Sequence, residues 1–113
     1  MALTLTRTKT EGVREGQVTL HSSLGATDDG DWVDMAGIGA WSVHISGISG
    51  DTVRTHGSNK ITIPADGDAE DQLGSDITAD TVRQFDVPLK WFKVSCSTYG
   101  AGAITVVLKA RNL

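Results

Sequence analysis

The sequence predicts an all-β fold: an antiparallel β-sandwich, jelly-roll-like, with eight or nine short strands and no long helix. Three observations carry that prediction. Apolar and polar residues alternate with a period of two in several short runs, as they do where successive side chains point to opposite faces of a strand. Turn-forming stretches separate the runs, and 13 glycines against two prolines suit many tight connections. Nowhere do apolar residues recur at i, i+3, i+4 and i+7 over more than two helical turns.

In chain order, residues 2–9 set Leu3 and Leu5 among threonines and basic residues, a pattern with β preference that reads as an edge strand or extended arm. Glu11-Gly12 and Glu15-Gly16 break the chain before a short strand over 17–21, with Val18 and Leu20 on one face and Thr19 and His21 on the other. Residues 22–30 are rich in turn formers and read as a loop. Residues 31–36 form a short strand candidate. In 40–46, Trp41, Val43 and Ile45 make one apolar face against Ser42, His44 and Ser46. A turn over 47–51 leads into 52–56, where Val53 and Thr55 point inward and Arg54 and His56 outward. Residues 60–64 carry Ile61 and Ile63 in a strand that Pro64 ends or places at an edge, since proline cannot donate to a ladder. Another strand is expected over 81–87. The strongest pattern is 89–111: Phe92, Val94 and Cys96 oppose Trp91, Lys93, Ser95 and Ser97, then Ile104, Val106 and Leu108 oppose Thr105, Val107 and Lys109. With Tyr99, Gly100, Ala101 and Gly102 between them, these two runs predict a long β-hairpin.

The chain length suits one domain, a sandwich over 15–113 preceded by the arm at 1–14. No apolar run approaches the roughly 20 residues of a membrane helix, and the first residues do not have the layout of a secretory signal, so no membrane role and synthesis in a cytosol are expected. Cys96 is the single cysteine, which excludes an intramolecular disulfide. A net charge of −4 argues against generic binding to duplex nucleic acid. The distribution is uneven: Arg7, Lys9 and Arg14 make the arm basic, whereas residues 65–80 hold six acids and no base. Each segment fits a partner of opposite sign or plain solvation.

No catalytic constellation assembles. His44 lies between Ser42 and Ser46 on a strand, and no Gly-x-Ser-x-Gly elbow is present. Asp66, Asp68 and Glu70 alternate as in a calcium loop, but Asp71 stands where glycine is required and Ile77 where the bidentate glutamate belongs, so a solvated acidic loop is the simpler reading. His21, His44 and His56 lack zinc spacing. No cofactor is expected. Trp41 shares a face with core residues. Trp91, opposite Phe92 and beside Lys93, is covered by a loop, packed against another subunit, or exposed as a sugar-stacking platform. Leu3, Leu5, Arg7, Lys9, Arg14, Trp91 and Lys93 are therefore the candidate interface residues.

Several stretches resemble small structural proteins of tailed-bacteriophage virions, particularly the β-sandwich or jelly-roll decoration (cement) proteins that clamp the outside of a capsid. They are Gly30-Asp31-Trp32-Val33-Asp34-Met35, 46–53 with Gly57-Ser58-Asn59, Gln72-Leu73-Gly74-Ser75-Asp76-Ile77-Thr78-Ala79, 87–94 and Tyr99-Gly100-Ala101-Gly102-Ala103-Ile104. The resemblance implies a non-enzymatic virion component on the capsid surface, assembled in the host cytoplasm. Its partners would be the major capsid protein and further copies of itself, as a trimer or dimer. A tail, baseplate or head-fibre subunit is the nearest alternative. A carbohydrate-binding module using Trp91, Tyr99 or Trp32 is the alternative from another class.

Overall fold

The computed structural model describes residues 6–10, 13–36, 38–65 and 71–111. Within them eight strands form: β1 (Thr6–Thr10), β2 (Val13–Leu24), β3 (Val33–Asp34), β4 (Trp41–Ser46), β5 (Thr52–Ser58), β6 (Thr81–Phe85), β7 (Trp91–Thr98) and β8 (Ile104–Arg111). No helix occurs among the described residues. One sheet has the order β1-β2-β8-β4-β6 and the other β3-β7-β5, with every pairing antiparallel.

From β2 onward, consecutive strands alternate between the two sheets. The pairs β2·β8, β3·β7 and β4·β6 nest inside one another, as if one long hairpin had been rolled up around β5. That nesting is the topology of a jelly roll. A fourth strand of the smaller sheet is sketched by residues 71–77, which run beside β5 through the bridges His56↔Gln72 and Val53↔Ile77. Gly74, with φ of 74°, interrupts this run, so it forms no continuous strand. The second half of the expected acidic loop is thus a broken edge strand, tied down by an ion pair between Arg54 Nε and Asp76 Oδ1 at 3.0 Å.

The core lies between the sheets. Val43, Ile45, Ile104, Val106 and Leu108 from the larger sheet meet Val33, Val53, Phe92, Val94 and Cys96 from the smaller one, all buried. Fully burying each such side chain contributes about 1.5–3 kcal/mol. Near one end, Trp41 stacks on Phe85 at 5.3 Å between ring centroids, and Phe92 meets both rings edge-on. These are preferred aromatic geometries.

The expected hairpin over 89–111 does not form. β7 pairs with β3 and β5, while β8 pairs with β2 and β4. Both strands carry a complete apolar face, and these faces meet across the core rather than lying side by side in one sheet. Residues 99–103 form an arch between the sheets. Asp51, 1% exposed, holds that arch: its carboxylate accepts hydrogen bonds from the backbone N–H groups of Ser49 and Gly100. The bond from Ser49 leads the effects that keep the Asp51 carboxyl below its ordinary pKa. Gly100 and Gly102 have no positive φ; they are small because the 47–50 backbone passes against them.

Three smaller expectations also change. β2 runs unbroken through Glu15-Gly16 and on to Leu24, with register shifts on either side of His21. Such a bulge turns a residue to the other face, and His21 leaves the face of Thr19 so that its Nε2 lies 2.8 Å from the Val94 carbonyl of the opposite sheet. β3 shrinks to two residues. The strand expected over 60–64 is an irregular strap, with Ile61 94% exposed.

Candidate functional site

The outer face of the smaller sheet is the most chemically loaded place in the molecule. The pairings His56↔Lys93 and Ser58↔Trp91 put alternate residues of β5 and β7 together there, with Asp34 of β3 opposite Trp91. Trp32, Trp91, Lys93, Ser95, His56 and Ser58 are all buried. The strap before Ala65 is tied to the two tryptophans among them. Trp32 Nε1 donates to the Ala65 carbonyl at 3.2 Å, Trp91 Nε1 donates to the Lys60 carbonyl at 3.1 Å, and Lys90 N donates to Asn59 Oδ1 at 3.0 Å. Two indoles therefore pin the strap at both ends, and the strap presents Ile61 and Ile63 to solvent at its crest.

Two cations lie over these indoles. Lys93 Nζ is 4.9 Å from the Trp32 ring centroid; Lys90 Nζ is 4.9 Å from that of Trp91 and 3.1 Å from Asp34 Oδ1. An ammonium over an indole face is held by the ring quadrupole, more strongly when desolvated. Trp91 and Lys93 thus lie inside the chain's own packing, Trp91 beneath the strap, and neither offers surface to a partner in this arrangement.

His56 Nε2 lies 2.7 Å from Ser95 Oγ. The pair looks like two-thirds of a triad, yet its chemistry points elsewhere. Among the described residues His56 Nδ1 is buried without a hydrogen-bond partner, so none of their carboxylates orients the ring. Burial, followed by the nearby charges of Lys93 and Arg54, pushes the His56 pKa down to about 4, which makes it a poor general base at neutral pH. The alternation places His56 and Ser95 on the outward faces of their strands but carries no signal that those side chains are buried.

The remaining candidates separate. Leu3 and Leu5 lie outside the described residues. Arg7 and Lys9 belong to β1 at one edge of the larger sheet, and Arg14 stands opposite Lys9 on β2. Of the alternating acids, Asp66, Asp68 and Glu70 also lie outside the described residues; among the described residues no group of three or more histidine, cysteine or acidic side chains could hold a metal. Cys96 is buried, and burial raises its thiol pKa. A shallow cleft of about 530 Å³ opens beside Ser42, Gln84, Asp86 and Lys109 at the rim of the larger sheet. Of the three aromatics considered as sugar platforms, Trp32 and Trp91 are buried; Tyr99 is 36% exposed, its hydroxyl donating to the Gly102 carbonyl.

Neither a family model nor a curated protein matches the chain. Among solved structures, the SPBc2 prophage-derived protein YomS is similar over 88% of this chain and 95% of its own, with a TM-score of 0.70 and 16% identity. At that identity the likeness is one of fold. A chain from the Drosophila melanogaster CENP-C complex with CAL1 overlaps at a TM-score of only 0.44 and 7% identity, over 96% of this chain and 81% of its own. That overlap is too loose to argue from.

Proposed function

We propose that this protein is a phage structural protein that decorates the capsid, binding the major capsid protein on the outer surface and associating with further copies of itself. The observation that carries this reading is the jelly roll it shares, across nearly the whole of both chains, with a prophage-derived protein. The surface is compatible with it. The basic β1 strand lies at a sheet edge, suited to strand addition or charge pairing with a neighbour. Ile61 stands on a strap pinned by two tryptophans, an apolar residue presented at little entropic cost. Many equivalent sites on a symmetric shell add modest contacts into firm attachment. Neither a cofactor, nor nucleic acid, nor a membrane is required.

Co-sedimentation with expanded capsids of the encoding phage tests the proposal. Saturable pelleting is expected, weakened by high salt and lost when residues 1–14 are deleted or Ile61 is replaced by aspartate. Protein that stays in the supernatant at every salt concentration would overturn capsid decoration and favour a tail, baseplate or head-fibre position.

A further inference from the structure

The larger sheet ends in two edges that the fold leaves open. Among the described residues, β1 pairs with β2 alone and β6 with β4 alone. The smaller sheet guards its β5 edge with residues 71–77. Open edges are normally blunted by proline, lysine or a covering segment, because they template pairing with another chain. Among the described residues β6 carries none of these guards. Val82 is 57% exposed, Val87 just beyond it is 49% exposed, and the one charge in the strand, Arg83, turns back to donate to the carbonyls of Leu73 and Ser75.

The two edges differ in charge. β1, Thr6-Arg7-Thr8-Lys9-Thr10, carries two cations and no acid; β6 is bracketed by the exposed acids Asp80 and Asp86. We propose that β1 of one copy adds to β6 of the next, joining the larger sheets head to tail into a closed ring. Only the element of self-association is taken from the function proposed above.

Charge argues against the symmetric alternatives. An antiparallel β1·β1 pairing centred on Thr8 sets Arg7 opposite Lys9 of the other copy. A β6·β6 pairing centred on Arg83 sets Asp80 opposite Asp86. Like charges directly opposite destabilise a ladder, so both two-fold dimers are disfavoured, whereas a β1·β6 contact in the parallel register that sets Thr8 beside Phe85 brings Lys9 beside Asp86, opposite in sign. Direction follows from the topology. Four antiparallel steps separate β1 from β6, so the two edges run the same way. A rotation about an axis along the strands then joins them in parallel, and such a heterologous contact closes into a ring of three or more copies. Parallel pairing is slightly weaker per residue, which leaves the contact dependent on its charges.

Native mass and light scattering across a salt series test this. A closed ring of at least three copies is expected at low salt, dissociating toward monomer at molar salt. Arg7→Glu with Lys9→Glu in one chain, or Asp86→Lys in another, should each raise the dissociation concentration at least about tenfold, since each removes or reverses a charge pair. Lys9 faces Arg14 across the β1·β2 ladder, so its reversal does not set like charges opposite within the fold. An equimolar mixture of the two variants should associate again, alternating the two in complexes of even copy number, because each supplies the edge the other lacks. A dimer indifferent to both reversals, a monomer at every salt concentration, or a mixture that fails to assemble would overturn the ring. Capsid co-sedimentation of the same samples separates the two proposals: a ring that ignores capsids defeats decoration alone, and a monomer that pellets with capsids defeats the ring alone.

Discussion

Replacing Gly47 with alanine is expected to cost about 4 kcal/mol or more, a large part of the roughly 5–15 kcal/mol that stabilises a domain of this size. Two independent causes act at this position. Gly47 has φ of 82°, which costs a residue with a Cβ about 1–2 kcal/mol. A Cβ built there would also overlap the Ala103 carbonyl oxygen, a backbone atom that already accepts no room for displacement because Ala103 N donates to the Gly47 carbonyl at 3.0 Å. Relief requires parting the 47–50 turn from the arch, and the arch is what carries the chain from β7 to β8. Gly39→Ala is the matched control, since no atom lies within 4 Å of its added Cβ and its φ is not positive. Urea midpoints measure both: near-equal midpoints for the two variants would show that the turn and the arch are not coupled as described.

Acidification is expected to remove the next largest share of stability, in a window that begins well above the carboxylate range. His56 is held neutral in the folded chain, its pKa lowered from 6.5 to about 4, first by burial, then by Lys93 on β7 and Arg54 on its own strand, against the opposing pull of Asp71 and Asp29. Above pH 6.5 both folded and unfolded states carry a neutral ring, and stability is at its full value. Below it the unfolded chain binds a proton that the folded one refuses, so stability falls with pH until about pH 4, where the folded state also takes the proton. The total loss is at most about 3 kcal/mol, less to the extent that water reaches the ring. Asp51 and Asp76, whose pKa values are lowered, add their losses only at more acidic pH. Chemical denaturation of the wild type and of His56→Gln at several pH values between 7 and 4 decides the matter (values chosen to span the shift). A flat wild-type profile, or an identical slope in the variant, would rule out His56 as the source.

Much of the sandwich was legible because alternation reports which face a residue takes. Trp41, Val43 and Ile45 in β4, Phe92, Val94 and Cys96 in β7, and Ile104, Val106 and Leu108 in β8 all bury the side that the period of two assigns to them. Alternation does not report which strand lies alongside. β7 and β8 are adjacent in sequence with a glycine-rich link, and nothing local separates a hairpin from an arch, so only the topology reveals that they face each other across the core. Ile61 and Ile63 illustrate the converse failure: their spacing fits a strand, but the backbone there is used to cover Trp32 and Trp91, whose indoles take its carbonyls. The chemistry on that outer face was illegible for the same reason. Trp91, Lys93, His56 and Ser95 alternate outward as exposed residues would yet are buried, and the segment that meets the Trp91 indole lies more than 25 residues away in sequence. Edge charge, by contrast, was readable directly, since Arg7 and Lys9 need no tertiary information to mark β1 as basic.

The nested pairing has a consequence in time as well as in space. β8, the last of the eight strands, lies in the middle of the larger sheet between β2 and β4, and its apolar face fills the centre of the core. A growing chain that has not yet produced β8 holds two half-sheets with no common partner. Closure of the sandwich therefore waits until β8 has been made, and it proceeds through contacts between residues far apart in sequence, which places folding in the range of about milliseconds to seconds. Ribosome-held chains ending at Ala103 should be digested by protease as readily as unfolded chain, whereas chains extended beyond Arg111 by a linker long enough to clear the exit tunnel should resist. Protection of the shorter chains would mean that the sheets organise without their central strand.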